Sequence, residues 1–466
     1  MKLHKLINSK KYRSIESEKF IVVTPFFLFW YLALFPGLLS FDPKVLLEMI
    51  NRGESTNLWS GSYFWFIKYT SLNGREIFLT SFITLCMLTF SIVRLTYSFP
   101  LSNTNHKILL RCILATPLYG FTGVNISRDV FQCSAIIFLV SYGIRERRGL
   151  AGSKKDLVVG LLLFQFANIG VFIALCYLLI LFFQRQVKLM LSVSLALLVI
   201  LFISNWTIEK DSTGQFFSPL ISDLKCVVQD ADARITAKHL EYLFTLAPES
   251  IWQNPVSCSV ADVTNISIRN PKTEISELVQ FFSVYARIAV NNGPTIVMAH
   301  IQRSRGALPP PFFPGPSNQV NLDPLIPIGL NSNFALQDGA PVLHPSLDEK
   351  KYDIPNPISE VMYPIAQTGA FLINQASWFW GWGGFWLWPV LLATIFWSRR
   401  EEIRGITLIL LPLILTHVIY FLFAPSPSPR FYLGTVLTGL SMLLSVIIRE
   451  LNKKTEASNL EFGIRG

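Results

Sequence analysis

The stretch FIVVTPFFLFWYLALFPGLLS, Phe20–Ser40, runs for 21 residues without a charge. At 1.5 Å per residue a helix of that length covers roughly 30 Å, the thickness of a bilayer's hydrocarbon core. Leu157–Phe183 and Leu408–Ala424 are further uncharged runs of spanning length. The first run is too long for a removable signal peptide, and Phe41-Asp42-Pro43 after it lacks a small-residue cleavage pattern. Working outward, the chain is 51% hydrophobic and 15% charged, the balance of a helical membrane protein rather than a soluble domain.

The net charge of +10 invites a nucleic-acid reading, but the distribution of the cations argues otherwise. Of the 40 Lys and Arg, 23 fall in alternate connecting segments and helix ends: the N-terminal tail, Arg94–Arg111, Arg145–Lys155, Arg185/Lys188, Arg399–Arg404 and the C-terminal tail. The short connections between them carry only six: Lys44, Arg52, Lys68, Arg75, Arg128 and Arg430. That asymmetry is the positive-inside pattern. It predicts both termini in the cytoplasm of an inner-membrane protein and leaves no case for nucleic acid.

The expected architecture is an all-α polytopic protein of about ten transmembrane helices, at 20–40, 76–98, 108–124, 129–144, 156–167, 169–184, 188–206, 374–397, 405–424 and 431–449. Residues 156–184 read as a hairpin around Ala167-Asn168, because the basic segments flanking them need an even number of crossings between. Residues 1–206 form an N-terminal membrane module of seven helices, 207–373 a large, mostly helical extracytoplasmic domain, 374–449 a second membrane module, and 450–466 a cytoplasmic tail. In the first outer loop, 41–75, Val45, Leu46, Met49 and Ile50 are spaced like one face of a short interfacial helix. Trp378, Trp380, Trp382, Trp386 and Trp388 cluster where an aromatic belt is expected.

Four cysteines, Cys86, Cys112, Cys133 and Cys176, fall within spans, where the thiol is a small apolar group. Cys226 and Cys258 fall in the large outer segment and suggest a disulfide enclosing 31 intervening residues. The plainer alternative is a pair of free buried thiols.

Three polar clusters fall at expected outer hairpin tips: Asp42 after the first span, Arg128-Asp129 before the fourth, and Arg430 with Tyr432 before the last. Ionisable groups at the water–hydrocarbon border are costly unless paired or functional. Taken singly, Asp42 reads as an N-cap for a helix starting at Pro43, and Arg128-Asp129 as a loop pair with a cap. Taken together, an acid, an Arg-Asp pair and an Arg-Phe-Tyr turn on three separate hairpins can converge on one site.

The segments carrying these residues, FPGLLSFD at 35–42, RD at 128–129 and PRFY at 429–432, resemble the C-type glycosyltransferase superfamily (GT-C), membrane enzymes that take sugars from polyprenyl-phosphate carriers. The run IAVNNGPTIVMAHIQRSRGALPPPFF, 288–313, is similar to the helix those proteins place before their late spans. The resemblance implies a sugar transfer from a polyprenyl-phosphate donor to a glycan or lipid acceptor, with Asp42 as general base. It implies donor-phosphate contacts from Arg128, Asp129, Arg430 and Tyr432, with Lys44, Trp59, Tyr63, His300 and Arg303 as further acceptor or phosphate contacts. The chain departs from the pattern in lacking a His-Pro pair late in the first outer loop and a second acid beside Asp42. Both departures leave a divalent metal and the mode of acceptor binding open, and no cofactor is otherwise implied.

The chemistry fits those residue types independently. A carboxylate can take the acceptor hydroxyl's proton as the bond to the anomeric carbon forms, and desolvation raises its pKa towards a useful range. The leaving phosphate calls for cations, and arginine's planar fork matches its oxygens. Two other functions compete. A polymerase or ligase of O-antigen type would use His300 and Arg303 with Arg305, which a plainer reading makes a basic interfacial helix near lipid head groups. A lipid or solute transporter would need midplane charges and internal repeats, and neither is evident. The absence of a Walker A loop argues against an ATP-driven pump.

Overall fold

The computed structural model describes residues 2–38, 41–54, 60–167, 170–183, 185–206, 217–253, 268, 271, 274–304, 361–362, 364–366, 368–369, 371, 382–399, 407–423 and 432–463. Among them every regular element is helical, and the one ladder contact is an isolated bridge. The first module contains α1 (Lys2–Ala33), α2 (Phe41–Asn51), α3 (Gly61–Thr70), α4 (Phe78–Thr96), α5 (Asn103–Leu114), α6 (Pro117–Val124), α7 (Arg128–Arg147), α8 (Ser153–Leu163), α9 (Gly170–Phe183) and α10 (Val187–Trp206). A separate lobe contributes α11 (Ser218–Val228), α12 (Ala237–Leu246), α13 (Glu249–Gln253), α14 (Ile275–Asn291) and α15 (Gly293–Ser304). The chain ends with α16 (Gly383–Arg399), α17 (Thr407–Phe423) and α18 (Leu433–Gly463).

Each of the ten expected segments contains helix. By length and composition, two helices among the described residues are apolar enough to cross a membrane alone, Phe78–Thr96 and Leu433–Lys454. The pair α5–α6 would make a third but bends by 66°. Ten crossings therefore stay an expectation. The bend has a local cause: Pro117 cannot donate to a continuing helix, and the Thr116 hydroxyl instead caps the new one by accepting from Tyr119 N–H at 3.3 Å. A second break, at 163–170, separates α8 from α9, as expected for two helices rather than one long one.

The hub of the bundle is α7, whose residues from Asp129 to Ile144 are all buried and which packs against α4, α8, α17 and α18. It is apolar around most of its circumference, the pattern of a helix enclosed on all sides. One end of the bundle is tied by charge: Arg94 holds Asp156 through two hydrogen bonds of 2.8 and 2.9 Å, and Arg145 Nε lies 3.2 Å from the same carboxylate. Arg148 donates to the Ser98 carbonyl at 2.6 Å nearby, and Lys107 pairs with Glu18 at 2.8 Å. This end thus gathers residues that the charge pattern assigns to one side of the membrane.

Two local readings are corrected. The apolar face of α2 does not lie free at an interface: Leu46, Leu47 and Ile50 are buried and join the main core. A 3.6-residue period marks an apolar stripe without saying whether lipid or protein covers it. Of the described members of that cluster, Trp382 and Trp386 are likewise buried and Trp388 is exposed; Trp378 and Trp380 lie outside the described residues. Space for Trp386 comes from Gly439 on α18, where a Cβ would stand 2.9 Å from its ring.

The lobe has its own core, built from Phe217, Ile221, Leu224, Leu243, Trp252 and Phe281 with their neighbours. Trp252 packs at its centre and satisfies its indole N–H on the Leu243 carbonyl at 3.1 Å. The lobe is fastened to the bundle through α15 and α17. There His300 Nε2 lies 3.1 Å from the Leu422 carbonyl. Cys226 is buried on α11 and is not among the free cysteines, whereas Cys258, its expected partner, lies outside the described residues.

Candidate active site

At the end of α7 opposite the Arg94–Asp156 cluster, the first two expected hairpin tips are stitched together. Leu38 and Asn125 form a parallel bridge, with Leu38 N–H donating to Val124 at 3.4 Å and Ile126 N–H to Leu38 at 2.9 Å. Gly37 makes this approach possible. Its φ is +144°, and a Cβ there would sit 2.8 Å from the Ser81 side chain, whose hydroxyl donates to the Pro36 carbonyl at 2.6 Å. Tyr63 closes the seam from α3, buried with its hydroxyl 3.4 Å from the Ile126 carbonyl. It therefore serves the junction itself.

The bridge puts the start of α2 within a few residues of the start of α7. The helix α2 opens at Phe41, so Asp42 stands in its first turn and not as its N-cap. The side chains of Asp42 and Lys44 lie outside the described set, as do Trp59 and Arg430 altogether.

Arg128 and Asp129 occupy the first turn of α7. Ser127 caps the helix, its hydroxyl accepting from Asp129 N–H at 3.2 Å and donating to Asp129 Oδ2 at 2.8 Å. Asp129 is buried and Arg128 half-buried. The expectation that Asp129 belongs to a cap is met in part: Ser127 caps, and the carboxylate steadies that hydroxyl.

Described residues on either side of the third expected tip pack against α7 as well. Tyr420 on α17 donates to Gln132 Oε1, one turn along α7 from Asp129. Gly434, at the start of α18, lies so close that a Cβ would stand 2.8 Å from Ile136. Tyr432 is fully buried between Tyr420 and His417, with ring centroids 5.7 and 5.2 Å away, and His417 Nε2 meets Thr435 Oγ1 at 3.1 Å. Among the described residues, three solvent-inaccessible polar atoms in this neighbourhood find no hydrogen-bond partner: Asn125 Oδ1, Gln132 Nε2 and Tyr432 Oη.

Gln132, Tyr420 and His417 escaped the sequence reading. The signal was available in Gln132, a full amide three residues beyond Asp129 in an apolar helix, and in His417 within the run Leu408–Ala424.

The other proposed residues, His300 and Arg303, form a different cluster in the lobe. Arg303 is 1% exposed and Asp223 0%. Arg303 Nη1 donates to Asp223 Oδ1 at 2.6 Å, and Tyr285 donates its hydroxyl to Oδ2 at 3.1 Å. His300 Nδ1 lies 3.2 Å from Asp223 Oδ2 and 2.8 Å from Arg303 Nη2. Burial, with the Asp223 carboxylate beside it, pushes the Tyr285 phenol up and keeps it protonated. Arg303 is thus committed to Asp223 and turned away from any surface. Its partner lies 80 residues away in the sequence and left no local mark. Among the described residues no group of three or more His, Cys, Asp or Glu is arranged to hold a metal ion.

No protein-family model matches the chain, and no curated protein matches it. Among solved structures it is similar to ArnT from Cupriavidus metallidurans bound to undecaprenyl phosphate, at 12% identity and a TM-score of 0.33, over 92% of this chain and 77% of that one. An overlap that loose does not decide a fold.

Proposed function

We propose that this chain is an integral membrane glycosyltransferase that moves a sugar from a polyprenyl-phosphate donor to a cell-envelope glycan or lipid acceptor. On this reading both termini are cytoplasmic and the lobe is on the outer face of the inner membrane. Asp42 takes the acceptor's proton, Arg128 and Arg430 hold the donor phosphate, and Asp129 orients Arg128. With a single base at the centre the transfer inverts the anomeric carbon.

The observation that supports this reading is the meeting of residues 38, 125 and 434 around the first turns of α7, at one end of the bundle. The unpaired atoms of Asn125, Gln132 and Tyr432 add to it. Leaving a buried polar group unpaired costs about 1–3 kcal/mol, a cost that a polar ligand at this end would relieve. The polymerase or ligase alternative has less support, since it needs Arg303 free and Arg303 is held by Asp223.

The test compares envelope glycans from cells that lack the protein with those carrying wild type, Asp42→Asn or Arg303→Lys. Loss of a general base lowers turnover by about 10²–10⁴-fold, so Asp42→Asn should reproduce the glycan of the deletion. A normal glycan with Asp42→Asn would end the assignment, and a retained anomeric configuration in the product would end the single-base mechanism.

A further inference from the structure

The helix α14 carries three parallel stripes. Phe281, Val284 and Ile288 are buried in the lobe. Ser276, Gln280, Ser283, Arg287 and Asn291 make an exposed polar strip. Beside it Ile275, Val279, Phe282, Ala286 and Val290, spaced 4, 3, 4 and 4, make a second apolar stripe that the described part of the lobe leaves largely uncovered, although the Phe282 ring packs 5.4 Å from that of Phe217. Its large members are 45–83% exposed. At 1.5 Å per residue the stripe is about 22 Å long. A small soluble lobe gains nothing from leaving such a face in water, since apolar exposure is unfavourable in proportion to its area.

The position of the stripe says what covers it. The next helix, α15, continues the apolar surface with exposed Val297 and Met298. Two residues later His300 reaches the Leu422 carbonyl and sets its ring 5.7 Å from Phe421, at the end of α17. There α17 presents its own outward row, Ile414, Val418 and Leu422, spaced four apart as on the lipid side of a membrane helix. The exposed apolar residues at the start of α15 thus stand beside the point where the lobe meets the outward row of α17, at the end where Asp129 lies.

We propose that α14 and the start of α15 lie in the plane of the bilayer surface, with the stripe from Ile275 to Val290 and residues Val297 and Met298 sunk among the lipid acyl chains. An apolar stripe flanked by a polar one is the pattern of an in-plane helix. The polar strip is nearly neutral, with Arg287 its only charge, so the occupant is the acyl region of any phospholipid and not an anionic head group. This assignment is independent of the glycosyltransferase reading.

The test uses the wild-type full chain in phosphatidylcholine vesicles containing a phosphatidylcholine with a diazirine in its acyl chain. After photolysis and peptide mapping, label is expected on the 275–298 segment at Val279, Phe282, Val290 and Met298, alongside Val418 as the lipid-facing control. Adding phosphatidylglycerol or salt should change the yield less than twofold. Label on Val418 with none in 275–298 would overturn the proposal. So would label confined to Ser276, Gln280 and Ser283, or protein–protein cross-links through Val279 that grow with protein-to-lipid ratio, which would assign the stripe to a second copy. A fluorescent amino acid at 279 or 283 gives a second measurement. Position 279 should be quenched by acyl-chain spin label and 283 by aqueous iodide, and equal iodide quenching at both would also refute it.

Discussion

Replacing Asp223 by alanine should unfold the lobe locally while leaving the bundle intact. The carboxylate is fully buried and accepts from Arg303 at 2.6 Å and Tyr285 at 3.1 Å. Removing it strands a guanidinium that is itself 1% exposed. Breaking a buried pair from one side costs about 3–5 kcal/mol, because the survivor keeps its desolvation penalty without its partner. The lost Tyr285 bond belongs to the same network and does not add in full. Against a typical domain stability of about 5–15 kcal/mol, that is a large fraction for a lobe whose described part is five helices.

Hydrogen exchange followed by mass spectrometry reads this loss region by region and avoids the irreversibility of a thermal scan. A cost of about 3–5 kcal/mol corresponds to a fall in protection of about a hundred- to several-thousand-fold, expected in peptides from α11, α14 and α15. Peptides from α4 and α7 serve as internal references and should change little. Arg303→Met alone should also weaken the lobe, since it strands the carboxylate. The double variant Asp223→Leu/Arg303→Met should recover most of the loss, because exchanging a whole buried pair for apolar side chains is often neutral. Less than a tenfold change with Asp223→Ala, or a double variant no better than the singles, would refute the reasoning.

Two further outcomes follow from the same geometry. Gly120→Ala should destabilise the bundle by about 1–3 kcal/mol through overpacking. A Cβ there would stand 2.0 Å from the Trp30 ring, itself fixed by a 2.9 Å hydrogen bond to the Leu114 carbonyl; a melting temperature in detergent equal to wild type would contradict this. Hydrogen bonds from Thr295 and from the Asp232 N–H hold the half-buried Asp230 carboxyl below the usual carboxylate range. A depressed pKa contributes stability above the unfolded-state value of about 4 that fades as pH falls through the folded value. Exchange in the 229–235 segment, corrected for intrinsic rate, should therefore rise on acidification below about pH 4, and Thr295→Val should flatten that dependence.

The helices were legible because spanning segments exclude charge, and that signal needs no partner to be read. The gathering of Arg94, Arg145 and Arg148 at one end was legible for a related reason, since the positive-inside pattern acts on each connection separately. What escaped depends on contacts between distant segments. The periodicity of Leu46, Met49 and Ile50 revealed a stripe on α2 but could not say that the core would cover it, and for α14 the exposed apolar stripe is told from the buried one only by the packed lobe. Arg303 looked like a cation available for phosphate because Asp223, which neutralises it, is far away in the chain. In the candidate site the single residues 42, 128, 129 and 432 could be named from hairpin positions. Gln132 and Tyr420 acquire meaning only when α17 is laid against α7. A local sequence pattern thus records the cost of placing a group in lipid or water, which each residue bears alone. It is silent on which partner offsets that cost, and whether Arg303 can meet a phosphate turns on that partner.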